Sequence, residues 1–147
     1  MSTLGNEEPI MNILLVEDNI ADIFIMQEAI DELNTGHHLE IANNGETALE
    51  KIKNTGQINR GNLFNLIILD INIPRPDGRL ILKFLKEDLK YRDIPVVILT
   101  TSNDWNDIKY AYENQANTFV TKPTEIEDFF KYIKSIVSYW EKLASSV

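Results

Sequence analysis

Cysteine is absent from the 147 residues, which excludes disulfides and thiolate chemistry and is compatible with the cytosol. Basic residues are scarce: 14 Lys and Arg stand against 23 Asp and Glu, for a formal net charge of -9. With no surplus of cations to displace counterions from phosphates, direct nucleic-acid binding is not expected. No apolar run approaches the ~20 residues that span a bilayer, so no membrane segment is expected. The opening, Met1 to Pro9, is too polar and acidic for a secretory signal or a transit peptide. Internal repeats and low-complexity tracts are also missing. What remains is a chain with 44% hydrophobic residues, long enough for one domain with a core on each side of a sheet. Residues 1–10 are expected to form a short flexible arm and 11–147 the domain.

The run Asn65-Leu66-Ile67-Ile68-Leu69 ends abruptly in Asp70 and continues as Ile71-Asn72-Ile73-Pro74. It reads as a strand buried on both faces with an acid at its C-terminal tip, where parallel α/β sheets bind ligands. Ile13 to Val16 runs similarly into Glu17-Asp18, Ile94 to Leu99 into Thr100-Thr101, and Thr118 to Val120 into Thr121-Lys122-Pro123. Parallel strands would bring Glu17, Asp18, Asp70, Thr100 and Lys122 to one edge of the sheet.

Helical patterns follow each strand. Asn19 can cap a helix from about Ile20 to Leu33, with Asp22 in its first turn, where a negative charge suits the helix dipole. Leu39 to Ala42 is a short strand, and Asn44 caps a helix through Lys53. Thr55 to Leu63, holding Gly56, Asn59, Gly61 and Asn62, reads as surface loop. Pro74 to Gly78 makes a stiff turn before a helix from about Arg79 to Leu89. Ser102 or Asn103 caps a helix from Asp104 to about Gln115, and Thr124 to Glu127 is a capping box opening a helix to about Lys142. This alternation predicts a doubly wound five-stranded parallel sheet with five helices.

Two or three converging carboxylates repel by ~4 kcal/mol per pair at ~4 Å and an effective dielectric of about 20, so the edge calls for a compensating cation. Mg²⁺ suits it, because this hard ion takes carboxylates and a carbonyl oxygen and still accepts phosphate oxygens. A carboxylate is also a nucleophile toward phosphorus, giving an acyl phosphate at Asp70. Lys122 and the Thr100 hydroxyl would then hold the transferred oxygens.

The set Glu17-Asp18, Asp70, Thr100 and Lys122-Pro123 resembles the receiver domain of two-component response regulators, from Asn12 to about Lys142. Leu69 to Pro74, Pro76-Asp77-Gly78, Ile94 to Val97 and Phe119 three residues ahead of Lys122 agree with it. The resemblance implies the flavodoxin-like, CheY-like (βα)5 receiver fold. It implies Asp70 as phosphoacceptor, with Asp18, Asp70 and the main-chain carbonyl of Asn72 ligating Mg²⁺ and Glu17 acting through metal-bound water. Lys122 would contact the phosphoryl group, with a cis Lys122-Pro123 bond. Thr100 would move toward that group and let Phe119 turn inward, repacking the fourth helix, fifth strand and fifth helix. Three positions depart from the commonest pattern: Glu17 for Asp, Thr101 for a small residue, and Phe119 for Tyr.

Among Ile23-Phe24-Ile25-Met26 at least one side chain must face away from the core. In receivers this helix docks on a sensor histidine kinase or histidine phosphotransfer protein, so Phe24 or Ile25 is expected as a contact. Ile126, Phe129, Phe130, Ile133, Val137 and Trp140 form an apolar stripe read as core. Tyr132 and Tyr139 lie off its centre, and the preceding helix carries Trp105, Tyr110 and Tyr112; this aromatic density suggests an association surface such as a homodimer. The Tyr139-Trp140 ending also resembles single-domain receivers paired with cyanobacterial-type phytochrome kinases. His37 and His38, adjacent in a loop, receive no role.

The expected function is that of a single-domain, cytoplasmic response regulator. It would take a phosphoryl group from a histidine kinase and pass output through protein contact or phosphotransfer, since the chain stops after the fifth helix. It would not be an enzyme beyond self-catalysed phosphorylation and dephosphorylation. Three alternatives stay open. A haloacid-dehalogenase-type phosphatase wants an acid two residues after the nucleophile, where Asn72 stands. A flavodoxin-like flavin carrier wants a hydroxyl-rich loop where Glu17-Asp18-Asn19 would repel phosphate. The third is a receiver-like interaction module working without phosphorylation.

Overall fold

Apolar runs set the three central strands of the sheet, and a computed structural model describes residues 11–58 and 63–145. The order is β1 (Asn12–Val16), α1 (Ile20–Glu32), β2 (His38–Ala42), α2 (Gly45–Ile58), β3 (Leu66–Leu69), α3 (Gly78–Glu87), β4 (Val96–Thr100), α4 (Trp105–Glu113), β5 (Thr118–Thr121) and α5 (Ile126–Ser145). All strand pairs are parallel, and the sheet order is β2-β1-β3-β4-β5. The expected doubly wound five-stranded sheet with five helices is present.

Alternation along the strands divides the core in two. Ile13, Leu15, Leu66, Ile68, Val97 and Leu99 pack with Met26 and Ala29 of α1 and Phe129, Ile133 and Val137 of α5. Leu14, Val16, Ile67, Leu69, Val96 and Ile98 face the other way, against Ala48 and Ile52 of α2, Ile81, Leu82 and Leu85 of α3 and Ala111 of α4. Because successive strand side chains point to opposite faces, an unbroken apolar run is what a strand covered on both sides requires. All four β3 residues are buried, each contributing about 1.5–3 kcal/mol relative to exposure.

Helix starts follow from side-chain caps. Asn19 Oδ1 accepts from the Asp22 N–H at 3.0 Å and Asn44 Oδ1 from the Thr47 N–H at 2.7 Å, as the sequence predicts. Asp77 Oδ1 accepts from the Arg79 N–H at 2.8 Å. The α4 cap differs from expectation: Asp104, not Ser102 or Asn103, accepts from the Asn106 N–H at 2.7 Å, which leaves the Ser102 hydroxyl to donate to Asp107 Oδ2 at 2.6 Å. At α5 the capping box does not form. The helix starts at Ile126, and among the described residues Thr124 has no hydrogen bond to Glu127; the Phe129 N–H reaches the Glu125 carbonyl at 3.0 Å instead.

Other limits shift as well. α2 runs to Ile58, past the expected stop at Lys53 and through Gly56, although a glycine inside a helix costs about 1 kcal/mol. The rest of the expected loop at 59–62, and the arm at 1–10, lie outside the described residues. Ile126, read as part of the core stripe, is 68% exposed, because α5 begins there, beyond the edge of the sheet. The Lys122-Pro123 bond is trans; among the described residues the cis bond is Arg75-Pro76. Trans is the lower-energy isomer of an X-Pro bond, and Lys122 reaches its partners from it.

His37 has a structural role that the sequence did not reveal. Its buried ring accepts from the Met11 N–H through Nδ1 at 3.0 Å and meets Glu141 Oε2 through Nε2 at 2.9 Å, tying the start of β1 to the end of α5.

Candidate functional site

The strand register assembles the acidic edge. Val16 pairs with Leu69, so the next residues, Glu17 and Asp70, leave adjacent strands side by side. The Asp70 N–H donates to the Val16 carbonyl at 3.0 Å and the Glu17 N–H to the Ala42 carbonyl at 3.0 Å, fixing both tips. Thr100 pairs with Thr121 across β4 and β5, and the Lys122 N–H donates to the Thr100 carbonyl at 2.7 Å. The four tips meet where the strand order reverses, the place at which open α/β sheets bind ligands.

Glu17, Asp18 and Asp70 each offer a carboxylate oxygen, all within 4.8 Å of one another. Glu17 and Asp70 are buried, and Asp18 is exposed. Hard oxygen donors this close, open to water on the Asp18 side, fit a divalent cation of the Mg²⁺ or Mn²⁺ kind. Glu17 Oε2 accepts from the Asp18 and Asn19 N–H groups at 3.2 and 3.1 Å. Burial pushes the Glu17 carboxyl up to about 7, a shift that the Lys122 contact opposes and the Asp70 charge reinforces.

Lys122 is the cation among these acids. Its Nζ lies 2.6 Å from Glu17 Oε1, 2.8 Å from Asp22 Oδ2 and 3.1 Å from Asp70 Oδ2. Burial alone would lower the Lys122 ammonium, but the hydrogen bond it donates to Asp22, the Glu17 contact and the Asp70 charge outweigh it and hold it above its ordinary value. Asp70 Oδ1 accepts from the Asn72 N–H at 3.0 Å. The Asn72 amide donates to Thr100 Oγ1 at 3.3 Å and the Ser102 N–H to the same oxygen at 3.4 Å. Thr100 is fully buried, and Thr101 is exposed. Gly78 packs on this loop: its N–H donates to the Ile71 carbonyl at 2.8 Å, and a Cβ there would strike the Asp70 carbonyl oxygen and the Ile71 Cα.

All five residues expected at the edge are therefore together. Phe119 is half-buried against the α2–α4 side of the core. The sequence reading missed two acids. In the sequence Asp22 reads only as a first-turn acid suited to the helix dipole, and its contact with Lys122, 100 residues away, leaves no local signal. Asp107 is buried, with its carboxylate on Arg79 and Ser102, linking α3 to the β4–α4 loop. Only the acid three residues after Asp104 hinted at it.

The response regulator receiver domain family matches residues 13–134 of the chain. The chain belongs to that family. Response regulator Rcp1 of Synechocystis sp. (strain ATCC 27184 / PCC 6803 / Kazusa) is 38% identical over 128 residues, covering 87% of this chain and 87% of that one. Among solved structures, the phosphorylated cyanobacterial phytochrome response regulator RcpA superposes with a TM-score of 0.83 at 34% identity, covering 90% of this chain and 94% of that one. The Mn²⁺-bound form of Rcp1 gives a TM-score of 0.81 at 37% identity, covering 88% and 94%. Receivers are in general phosphoacceptors, not enzymes. No helix among the described residues is long and apolar enough to cross a membrane.

The outer surfaces of the receiver sort the expected contacts. Phe24 is exposed whereas Ile25 packs partly against the α1–α5 core, so of the pair only Phe24 faces solvent fully. Trp105, Tyr112 and Tyr139 are exposed. Tyr132 is half-buried and lines a cavity of about 140 Å³ with Ser135, Ile136, Tyr139 and Trp140.

Proposed function

We propose that Asp70 accepts a phosphoryl group from a phosphohistidine on a sensor histidine kinase or phosphotransfer protein. The observation that carries this is the position of Asp70: a strand-tip carboxylate between two further acids and a single lysine. An Asp70 oxygen attacks phosphorus, a new O–P bond forms, the P–N bond breaks, and its electron pair returns to the imidazole. The Lys122 ammonium moves onto the transferred oxygens, and the Thr100 hydroxyl follows. Asp18, Asp70 and the Asn72 carbonyl would hold Mg²⁺, with Glu17 contributing its charge from beside them. When bound, the cation neutralises the acids and the incoming phosphoryl oxygens. Support for a divalent ion comes from the three clustered carboxylates and from the Mn²⁺-bound relative.

Residues 11–147 act as one cytoplasmic receiver unit. Phe24, with Ile20 one turn before it and also exposed, forms the kinase contact. Withdrawal of Thr100 lets Phe119 turn inward and repacks α4, β5 and α5, whose Trp105, Tyr112, Tyr132 and Tyr139 form a homodimer surface. The test is intact mass after incubation with a small-molecule phosphodonor, with and without Mg²⁺, beside Asp70→Asn. One phosphoryl increment requiring both the metal and Asp70 is expected. No increment under conditions that label another receiver would leave a phosphorylation-independent interaction module.

A further inference from the structure

Three carboxylates contact the Lys122 ammonium, and Asp22 stands apart from the other two. It is neither the strand-tip acid at Asp70 nor one of the three clustered acids, yet its Oδ2 lies closer to Nζ than Asp70 does, at 2.8 Å against 3.1 Å. An ammonium has three N–H donors. Two of them bond Asp22 Oδ2 at 2.8 Å and Asp70 Oδ2 at 3.1 Å, and the charge also faces Glu17 Oε1 at 2.6 Å.

A phosphoryl group on Asp70 places new anionic oxygens beside Nζ, which compete with its present carboxylate partners for the same ammonium. Glu17 is held: its side chain is 2% exposed, and its other oxygen accepts two backbone N–H groups. Asp70 carries the group itself. Asp22 has a side chain 21% exposed, so water is at hand when it lets go. Its backbone stays fixed meanwhile by the bond from its N–H to Asn19 Oδ1.

We propose that Asp22 is a positioning residue that competes with the phosphoryl group for Lys122, holding the ammonium in the resting receiver and setting how tightly the site takes a phosphoryl group. Asp22 acts through Lys122 and does not itself touch the reacting atoms. Its charge also adds a fourth carboxylate to the edge, which opposes the same anion. This inference rests on the receiver reading above.

The test titrates the full chain with beryllofluoride, a phosphoryl mimic, in the presence of Mg²⁺, read by calorimetry and by fluorine NMR. Wild type, Asp22→Asn and Asp22→Ala are compared, with Asp70→Asn as the non-binding control. Both Asp22 variants keep the backbone N–H that Asn19 caps, so whichever of them folds can be read. Affinity is expected to rise from wild type to Asn to Ala, by about three- to tenfold in all, and the gain should shrink as salt is added. A merely structural Asp22 would do the reverse, since a misplaced Lys122 weakens binding. Unchanged or weaker binding by the variants, with wild type binding normally, overturns the proposal and leaves the receiver reading intact. Failure of wild type itself to bind overturns the receiver reading, and the role of Asp22 with it.

Discussion

Replacing Lys122 by Met removes the positive charge from between Glu17, Asp22 and Asp70 while keeping most of the side chain's packing. In the native site Nζ is within 3.1 Å of all three carboxylates, and the side chains of Glu17 and Asp70 are only 2% and 7% exposed. Breaking such a buried arrangement from one side leaves uncompensated charge and destabilises by about 3–5 kcal/mol. That is a large part of the stability of a domain this size, about 5–15 kcal/mol. The loss must depend on pH. Glu17 already sits at about 7 because burial outweighs the Lys122 contact; without that contact it rises further, so at pH 5.5 Glu17 is neutral and the loss falls to about 1–2 kcal/mol. Urea denaturation of metal-free protein at pH 5.5 and 8, followed by circular dichroism, measures both values, and millimolar Mg²⁺ should recover much of the loss at pH 8. Equal losses at the two pH values, or none at either, would refute the reasoning.

Three further outcomes are expected. Gly78→Ala drives a Cβ into the Asp70 carbonyl and the Ile71 Cα, so thermal melting should show a loss of about 1–3 kcal/mol; a melt equal to wild type would contradict that packing. In metal-free wild type, the folded-state Glu17 carboxyl is raised from 4.5 to about 7, so the fold holds the extra proton in this window and stability should fall as pH rises through it, by on the order of 3 kcal/mol. Glu17→Gln should flatten that slope, and an unchanged slope would rule Glu17 out as its source. Asp107→Asn keeps the shape but weakens the ties to Arg79 and Ser102; denaturation at pH 7 should register a loss of about 1–2 kcal/mol. The Asp107 carboxyl is lowered because its Ser102 and Arg79 bonds outweigh burial, so its contribution is complete above the unfolded value and fades as pH falls below it. The variant and wild type should converge in acid.

The fold was readable because its signal is repeated: the buried strands β1, β3 and β4 are apolar runs, and all five parallel strands lead into polar residues at the same sheet edge. Val16 facing Leu69 then turns two unrelated acids, Glu17 and Asp70, into neighbours. Side chains that reach across elements were not readable. Asp22 meets Lys122 from 100 residues away, and Asp107 meets Arg79 and Ser102 from two other segments; no local pattern records such a contact. Helix starts failed where two caps compete. Asp104 displaced Ser102 because the Ser102 hydroxyl is engaged with Asp107, and Thr124 lost its box when α5 opened one residue later. Ile126 followed the same shift, from expected core to exposed surface.

The central claim is that Asp70 carries the phosphoryl group as an acyl phosphate. Reduction with borohydride after phosphorylation converts an aspartyl phosphate to homoserine, and peptide mass spectrometry locates it. Homoserine at position 70, absent when Mg²⁺ is withheld, is the predicted result. Homoserine at Asp18 or elsewhere, or an intact Asp70 in protein that has gained a phosphoryl increment, would contradict the account.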